Sequence, residues 1–205
     1  MEKLEEKYYK HDYAERLLHW GNALVIILLT LSGLQIHHGG FTVFGSMNNA
    51  RYVHFISMYL FIFMGIIYVY QFFALGKHKV SLFKPSDIKD IIPVAKYYLF
   101  VTDKEPHFEK YNPMQKLAYN STIFMALVMV FTGFALYWPK VFVPVVKFFG
   151  GLGYVRLWHF LFTWVFIAFL MIHTYLVFSE DLRKSLFAMF TGYAPKEKMQ
   201  EEEKA

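Results

Sequence analysis

His159 and His173 stand 14 residues apart in a chain segment, Trp158 to Phe178, that carries no charged side chain. Fourteen helical residues rise about 21 Å and return to within roughly 40° of the starting direction, so both imidazoles share one face near opposite edges of a bilayer's apolar core. A helix built this way can hold two haems, one above the other. Each iron then needs a second axial ligand from another helix, and His19 and His54 are the remaining histidines in apolar segments. A neutral imidazole on each side of the iron gives a six-coordinate, low-spin haem b, suited to moving electrons and unsuited to binding oxygen. One histidine in a membrane helix is as readily a hydrogen-bonded packing residue. Four at two matched depths favour the haem.

Arginines accompany three of the four. Arg16, Arg51 and Arg156 each precede a candidate ligand by three residues, in the form Arg-x-x-His. At that spacing the guanidinium shares the histidine's helix face one turn nearer the water, where haem propionates would lie. The alternative is a snorkelling anchor at the end of a span. Gly33 follows His19 by 14 residues and Gly65 follows His54 by 11, so each lies on its histidine's face at the depth of the other haem. A flat macrocycle needs such close-approach positions, although glycine also serves plain helix packing in membranes.

The elements that must position these residues are membrane helices. The chain has 205 residues, 56% of them apolar and 20% aromatic, with a mean hydropathy of +0.31. Four uncharged blocks have the length needed to cross a bilayer: residues 17–36, 52–75, 117–138 and 158–178. The expected fold is therefore all-α: a four-transmembrane-helix bundle forming one membrane domain over residues 1–205. The segment before the first block holds four Lys and Arg, the loop 76–116 eight, and the tail after Phe178 five; of the 21 in the chain only Arg51, Lys140, Lys147 and Arg156 lie elsewhere. By the positive-inside rule both termini and the loop 76–116 are cytoplasmic. His19 and His173 then lie at the inner depth and His54 and His159 at the outer one, which pairs them as ligands of an inner and an outer haem iron.

The rest of the chain adds less. Met1 to Arg16 reads as a polar helical lead-in, and its mixed charge and the absence of a small-residue cleavage site argue against a cleavable signal. Residues 37–51, with Gly39, Gly40, Gly45, Asn48 and Asn49, read as irregular turns. Ser86 is placed to cap a surface helix presenting Ile88, Ile91, Ile92, Ala95 and Leu99, with a bend at Pro93. The apolar run from Val141 to Phe149 suits the membrane surface or a partner protein, and the charged tail 194–205 reads as disordered. The chain has no cysteine, which excludes disulfides, iron–sulfur clusters and thiolate metal sites within it. The net charge of +5 follows from the topology and implies no nucleic-acid partner. His11, His37, His38, His78 and His107 fall in loops, where solvated histidines are ordinary; His37 and His38 remain candidates for contact with a haem edge or a partner.

Taken together, Arg16-x-x-His19-Trp20, Arg51-Tyr52-x-His54, Tyr111-Asn112-Pro113-Met114-Gln115-Lys116, and His159 with His173, Tyr175 and Glu180-Asp181 resemble the di-haem cytochrome b subunits of membrane-bound respiratory oxidoreductases. These are the nickel–iron hydrogenase cytochrome b, the formate dehydrogenase gamma subunit and the thiosulfate-reductase-type cytochrome b. The resemblance runs from about Arg16 to Asp181. It implies two haem b groups, a prokaryotic cytoplasmic (inner) membrane, and outward-facing iron–sulfur or catalytic subunits of a hydrogenase, formate dehydrogenase or sulfur-compound oxidoreductase. It also implies a quinone, menaquinone or ubiquinone, reduced near the inner haem. Asn112 and Gln115 match polar positions of the quinone site in the formate dehydrogenase members, and their amides can hydrogen-bond a quinone carbonyl. Asn112-Pro113 equally suits a helix cap, with Pro113 in the first turn. The proline and methionine between Asn112 and Gln115 depart from the formate dehydrogenase pattern.

Three functions compete on these residues. The first is an electron-transfer subunit linking an external oxidoreductase to the quinone pool. The second is a stand-alone cytochrome of the b561 type oxidising a small reductant such as superoxide, an anion that the acid-free outer loops would attract. The third is a transporter or scaffold whose histidines relay protons or hold haem transiently.

Overall fold

A computed structural model describes residues 7–76, 78–102, 106, 108, 111–179 and 186–195. The elements run β1 (Lys7–Tyr9), α1 (Tyr13–His37), α2 (Met47–Ala74), α3 (His78–Ser81), a 3-10 turn (Pro85–Asp87), α4 (Ile88–Tyr98), α5 (Pro113–Tyr137), α6 (Val143–Phe148), α7 (Leu152–Ser179), α8 (Ala188–Thr191) and β2 (Tyr193–Pro195). Among the described residues, α1, α2, α5 and α7 are the four helices long and apolar enough to cross a membrane. Large apolar side chains such as Phe63, Ile66, Phe124 and Ile172 remain exposed along them, the composition that lipid-facing helices need.

Three spans, α1, α2 and α5, start before their apolar blocks because polar residues cap and extend the helix beyond the bilayer core. Asp12 Oδ1 accepts from the Glu15 backbone N–H at 2.7 Å, which starts α1 at Tyr13 instead of Leu17. Ser46 Oγ accepts from the Asn49 N–H at 3.1 Å, so α2 takes up residues 47–51, expected as irregular loop. Asn112 Oδ1 accepts from the Gln115 N–H at 2.9 Å while Gln115 Oε1 accepts from the Asn112 N–H at 3.1 Å. This reciprocal box, with Pro113 in the first turn, opens α5 four residues before the apolar block.

The chain forms two compact units, residues 1–57 with 169–205, and residues 58–168. In the first, β1 pairs antiparallel with β2, with Tyr8 opposite Ala194 and the Tyr9 and Tyr193 rings 5.3 Å apart. Two expectations change here. Residues 7–9 are a strand and not part of a helical lead-in, and residues 194–195 are paired instead of disordered. The pairing continues into a clasp: the Gly192 carbonyl accepts from the Lys10 and His11 N–H groups, Arg16 Nη1 donates to the Phe190 carbonyl, and Trp20 Nε1 donates to the Met189 carbonyl at 3.2 Å. Trp20 also stacks on Phe190, with centroids 4.4 Å apart. Backbone carbonyls left open at the end of α8 are thereby satisfied by the first turns of α1. Residues 196–205 lie outside the described residues, as do Glu180, Asp181 and His107.

In the second unit, α4 runs through Pro93 with Ile88, Ile92 and Leu99 exposed and Val94 buried. Its start is not capped by Ser86. Asp87 Oδ2 accepts from the Lys84 N–H at 2.7 Å across the 3-10 turn, because a carboxylate is a stronger acceptor than the neighbouring hydroxyl. Three contacts tie this segment to the first turns of α5: Lys116 Nζ to Asp87 Oδ1 at 3.0 Å, Asn112 Nδ2 to the Tyr98 hydroxyl at 2.8 Å, and Asn120 Nδ2 to the Ser81 carbonyl at 2.9 Å. At the other end of α5, Phe134 stacks between Trp138 and Phe142, which joins the helix to the α6 segment.

Candidate haem-ligand histidines

The four histidines of the spans fall into two kinds of surroundings. His19, on the second turn of α1, and His173, near the end of α7, have ring centroids 6.2 Å apart with planes inclined by 52°. His173 stacks on Phe169 at 6.0 Å, and the Trp20 ring meets His19 edge-on at 5.1 Å. His19 Nδ1 is buried and has no hydrogen-bond partner among the described residues, a costly state for a polar atom unless a further group completes the site. Arg16 Nε, one turn away, is in the same condition even though its Nη1 is held by the Phe190 carbonyl and its guanidinium lies 5.8 Å from the Tyr13 ring.

His54 and His159 are instead each held by a hydroxyl on a neighbouring span. Within the first unit, His54 Nδ1 lies 3.0 Å from Ser32 Oγ. Within the second, His159 Nδ1 lies 2.8 Å from Thr132 Oγ1. A glycine follows each hydroxyl. A Cβ at Gly33 would stand 3.3 Å from His54 Cε1, and one at Gly133 would stand 3.4 Å from His159 Cε1. Gly33 was expected to admit a macrocycle; its side-chain-free face is where the His54 imidazole rests. Gly65 has open space over its missing Cβ. The segments Ser32-Gly33…Arg51-x-x-His54 and Thr132-Gly133…Arg156-x-x-His159 are two copies of one arrangement. The spacing Arg-x-x-His was legible; the hydroxyl–glycine half was missed, although the paired dipeptides were there to be matched.

Arg51 and Arg156 are exposed beside their histidines. Asn112 and Gln115 are engaged in the α5 cap, and Asn112 also reaches Tyr98. Of the other described histidines, His11 Nδ1 is 3.3 Å from Glu15, His78 Nδ1 is 3.2 Å from the Phe72 carbonyl, and His37 and His38 are exposed. Buried Gln35, one turn beyond Ser32, organises the loop after α1 by accepting from the Val43 and Phe44 N–H groups at 2.9 Å each and donating to the Ser46 carbonyl.

These surroundings fit a haem better than a bare ion. Among the described residues no three His, Asp or Glu converge on one point, so a metal here must bring its other ligands with it, as an iron in a macrocycle does. An imidazole nitrogen sits about 2 Å from a first-row metal, so two rings on one ion have centroids about 6 Å apart. The 6.2 Å between His19 and His173 leaves that room, and the unpartnered Nδ1 and Nε atoms beside it are polar groups a bound cofactor could satisfy.

Four apolar helices, three of them carrying histidines within the span, suit a membrane cytochrome of the b type. Comparison with known proteins agrees: residues 10–192 match the family described as prokaryotic cytochrome b561, and the chain belongs to that family. It is 28% identical over 210 residues to a "Probable Ni/Fe-hydrogenase B-type cytochrome subunit" of Cupriavidus necator, covering 90% of this chain and 86% of the relative. A protein of the same description in Azotobacter vinelandii is 30% identical over 207 residues with the same coverage. A protein of Azospira oryzae whose name assigns it to a protein-methionine-sulfoxide reductase is 27% identical over 203 residues, covering 92% of this chain and 99% of the relative. The family implies b-type haem and electron transfer in a membrane.

Proposed function

We propose that this chain is the di-haem membrane subunit of a nickel–iron hydrogenase complex and passes electrons between the hydrogenase and the quinone pool. The observation that carries this reading is the His19–His173 pair, 6.2 Å apart with a buried, unpartnered Nδ1, on spans whose relatives bear hydrogenase-subunit names. His19 and His173 are the ligands of the inner haem. His54 and His159 are assigned to the outer one by their depth in the sequence. Haem b supplies reversible one-electron exchange at its iron, and two imidazoles leave it no open position for oxygen.

The remaining residues orient and balance charge. Arg16, Arg51 and Arg156 face the propionates, with the open Nε of Arg16 as the first such contact. Gly65 leaves the helix surface bare for the macrocycle, and Gly33 leaves room for the His54 ring. Asn112 and Gln115 bind the quinone. A quinone carbonyl only accepts, so the contact falls to the amide hydrogens not already engaged: the second one on Asn112 Nδ2 and the pair on Gln115 Nε2. Both chain ends and the loop 76–116 face the cytoplasm of a prokaryotic inner membrane, which the strand pairing of residues 7–9 with 193–195 supports by holding the two ends on one side.

The test is purification in mild detergent followed by reconstitution with quinone in liposomes. The chain should co-purify with hydrogenase subunits, and hydrogen added outside should reduce quinone and generate an interior-negative potential, since charge moved across the membrane is worth about 2.3 kcal/mol per 100 mV. A chain that purifies alone and is reduced by superoxide but not by hydrogen would establish the stand-alone cytochrome instead.

A further inference from the structure

Ser32 and Thr132 repeat one chemical device on two different helices. Both are fully buried, and both bond back to the carbonyl four residues earlier, Ser32 Oγ to Leu28 at 2.5 Å and Thr132 Oγ1 to Val128 at 2.6 Å. A hydroxyl has a single hydrogen. With that hydrogen on the carbonyl, the oxygen meets the neighbouring imidazole as an acceptor, and His54 Nδ1 and His159 Nδ1 must bring the hydrogen to these contacts of 3.0 and 2.8 Å. A neutral imidazole has one ring hydrogen, so the lone pair is left on Nε2, on the other side of the ring.

We infer that Ser32 and Thr132 are positioning residues that fix His54 and His159 as Nε2 ligands and strengthen them as electron donors to the iron. The inference rests on His54 and His159 being haem ligands. An acceptor on Nδ1–H raises the basicity of the ligating nitrogen and favours the oxidised, more positive metal. The hydroxyls therefore hold the potential of the haem they serve below the value it would have without them. His19 has no such acceptor, because its Nδ1 is buried without a partner among the described residues. The two haem sites are thus built unequal by their own protein surroundings. Backbone bonding by Ser or Thr within a membrane helix is common by itself. It uses the hydroxyl's one hydrogen and gives no reason for a histidine Nδ1 to stand at hydrogen-bond distance in both copies.

The experiment uses the full-length chain in its complex, with Ser32→Ala and Thr132→Val removing the hydroxyls and Ser32→Thr and Thr132→Ser retaining them. Haem content, the midpoint potential of each haem by optical redox titration, and the EPR g-values of the ferric centres are read for all four. The expected result is an upward shift of one haem's potential and altered g-values in Ser32→Ala and Thr132→Val, with the other haem unmoved and the hydroxyl-retaining variants like the parent. Haem loss in the two hydroxyl-free variants with retention in the other two supports the same role. Unchanged potentials and g-values, or equal changes whether or not the hydroxyl is kept, overturn it. His54→Ala and His159→Ala run alongside: if both keep full haem content and parental spectra, the ligand assignment itself fails, and the inference falls with it.

Discussion

Gly33→Ala sets two effects of opposite sign against each other in the same helix. Alanine inside a helix is more favourable than glycine by about 0.5–1 kcal/mol, so the substitution should stabilise α1 as a secondary structure. Its methyl group, however, would stand 3.3 Å from His54 Cε1, inside the 3.5–4.0 Å at which carbon atoms pack best. The ring must retreat by a few tenths of an ångström. That movement stretches the 3.0 Å contact between Ser32 Oγ and His54 Nδ1 toward 3.5 Å, where a hydrogen bond is lost, at a cost of about 1 kcal/mol. Folding and ligation should therefore respond differently. The melting temperature should stay near the parental value, because the two terms nearly cancel. Haem retention, read as transfer to an apomyoglobin acceptor, should weaken about fivefold, the equivalent of about 1 kcal/mol. Gly153→Ala, in a helix position with open space, is the control and should retain haem fully. Parental haem retention in Gly33→Ala, or an equal loss in Gly153→Ala, would refute the claim that Gly33 is kept bare to seat the ligand ring.

Three further outcomes are expected. Gln35→Ala removes two N–H···O contacts of 2.9 Å and one longer bond, so the loop 38–46 should lose about 2–3 kcal/mol of local stability, read as faster amide exchange at Val43 and Phe44. The Lys84 N–H first, and then the Lys116 ammonium, hold the Asp87 carboxyl below its ordinary value of 3.8; the stabilisation is therefore complete above that value and lost as the pH falls through the lower folded one, so proteolysis of the 76–102 segment should rise only in strong acid and Asp87→Asn should remove that dependence. Gln115→Glu exchanges an amide donor for a carboxylate acceptor, and should raise the KM for quinone while leaving hydrogen-dependent haem reduction intact; an unchanged KM would return Gln115 to capping alone.

The four spans were legible because a bilayer tolerates few alternatives: about twenty uncharged residues in a row can satisfy their backbone only as a helix. Their ends were not legible in the same way. Hydropathy marks the apolar core, whereas Asp12, Ser46 and Asn112 start helices by hydrogen bonds several residues outside it. The approach of His19 to His173 followed from depth alone, since alternating span directions leave each end-placed histidine one partner of equal depth. Ser32, Thr132 and Gly133, taken singly, carry no signal in the sequence, because a hydroxyl in a span suits routine back-bonding and only the fold brings a histidine beside it. The clasp between residues 7–9 and 193–195 has no local signature either: three-residue strands carry no periodicity, and their partners stand at opposite ends of the chain. The Asn112-Pro113-x-Gln115 pattern suits a quinone site or a helix cap; the cap is present, and the proposed quinone role rests on the amide hydrogens left over.

The proposed function requires two haems held through four named histidines. The direct measurement is haem b per purified chain, with the reduced-minus-oxidised and EPR spectra, for the parent and for His19→Ala, His173→Ala, His54→Ala and His159→Ala. Two low-spin haems are expected in the parent, with loss of one and the same haem in His19→Ala and His173→Ala, and loss of the other in His54→Ala and His159→Ala. A parent with a single haem, or a set of variants that all keep both, would contradict it.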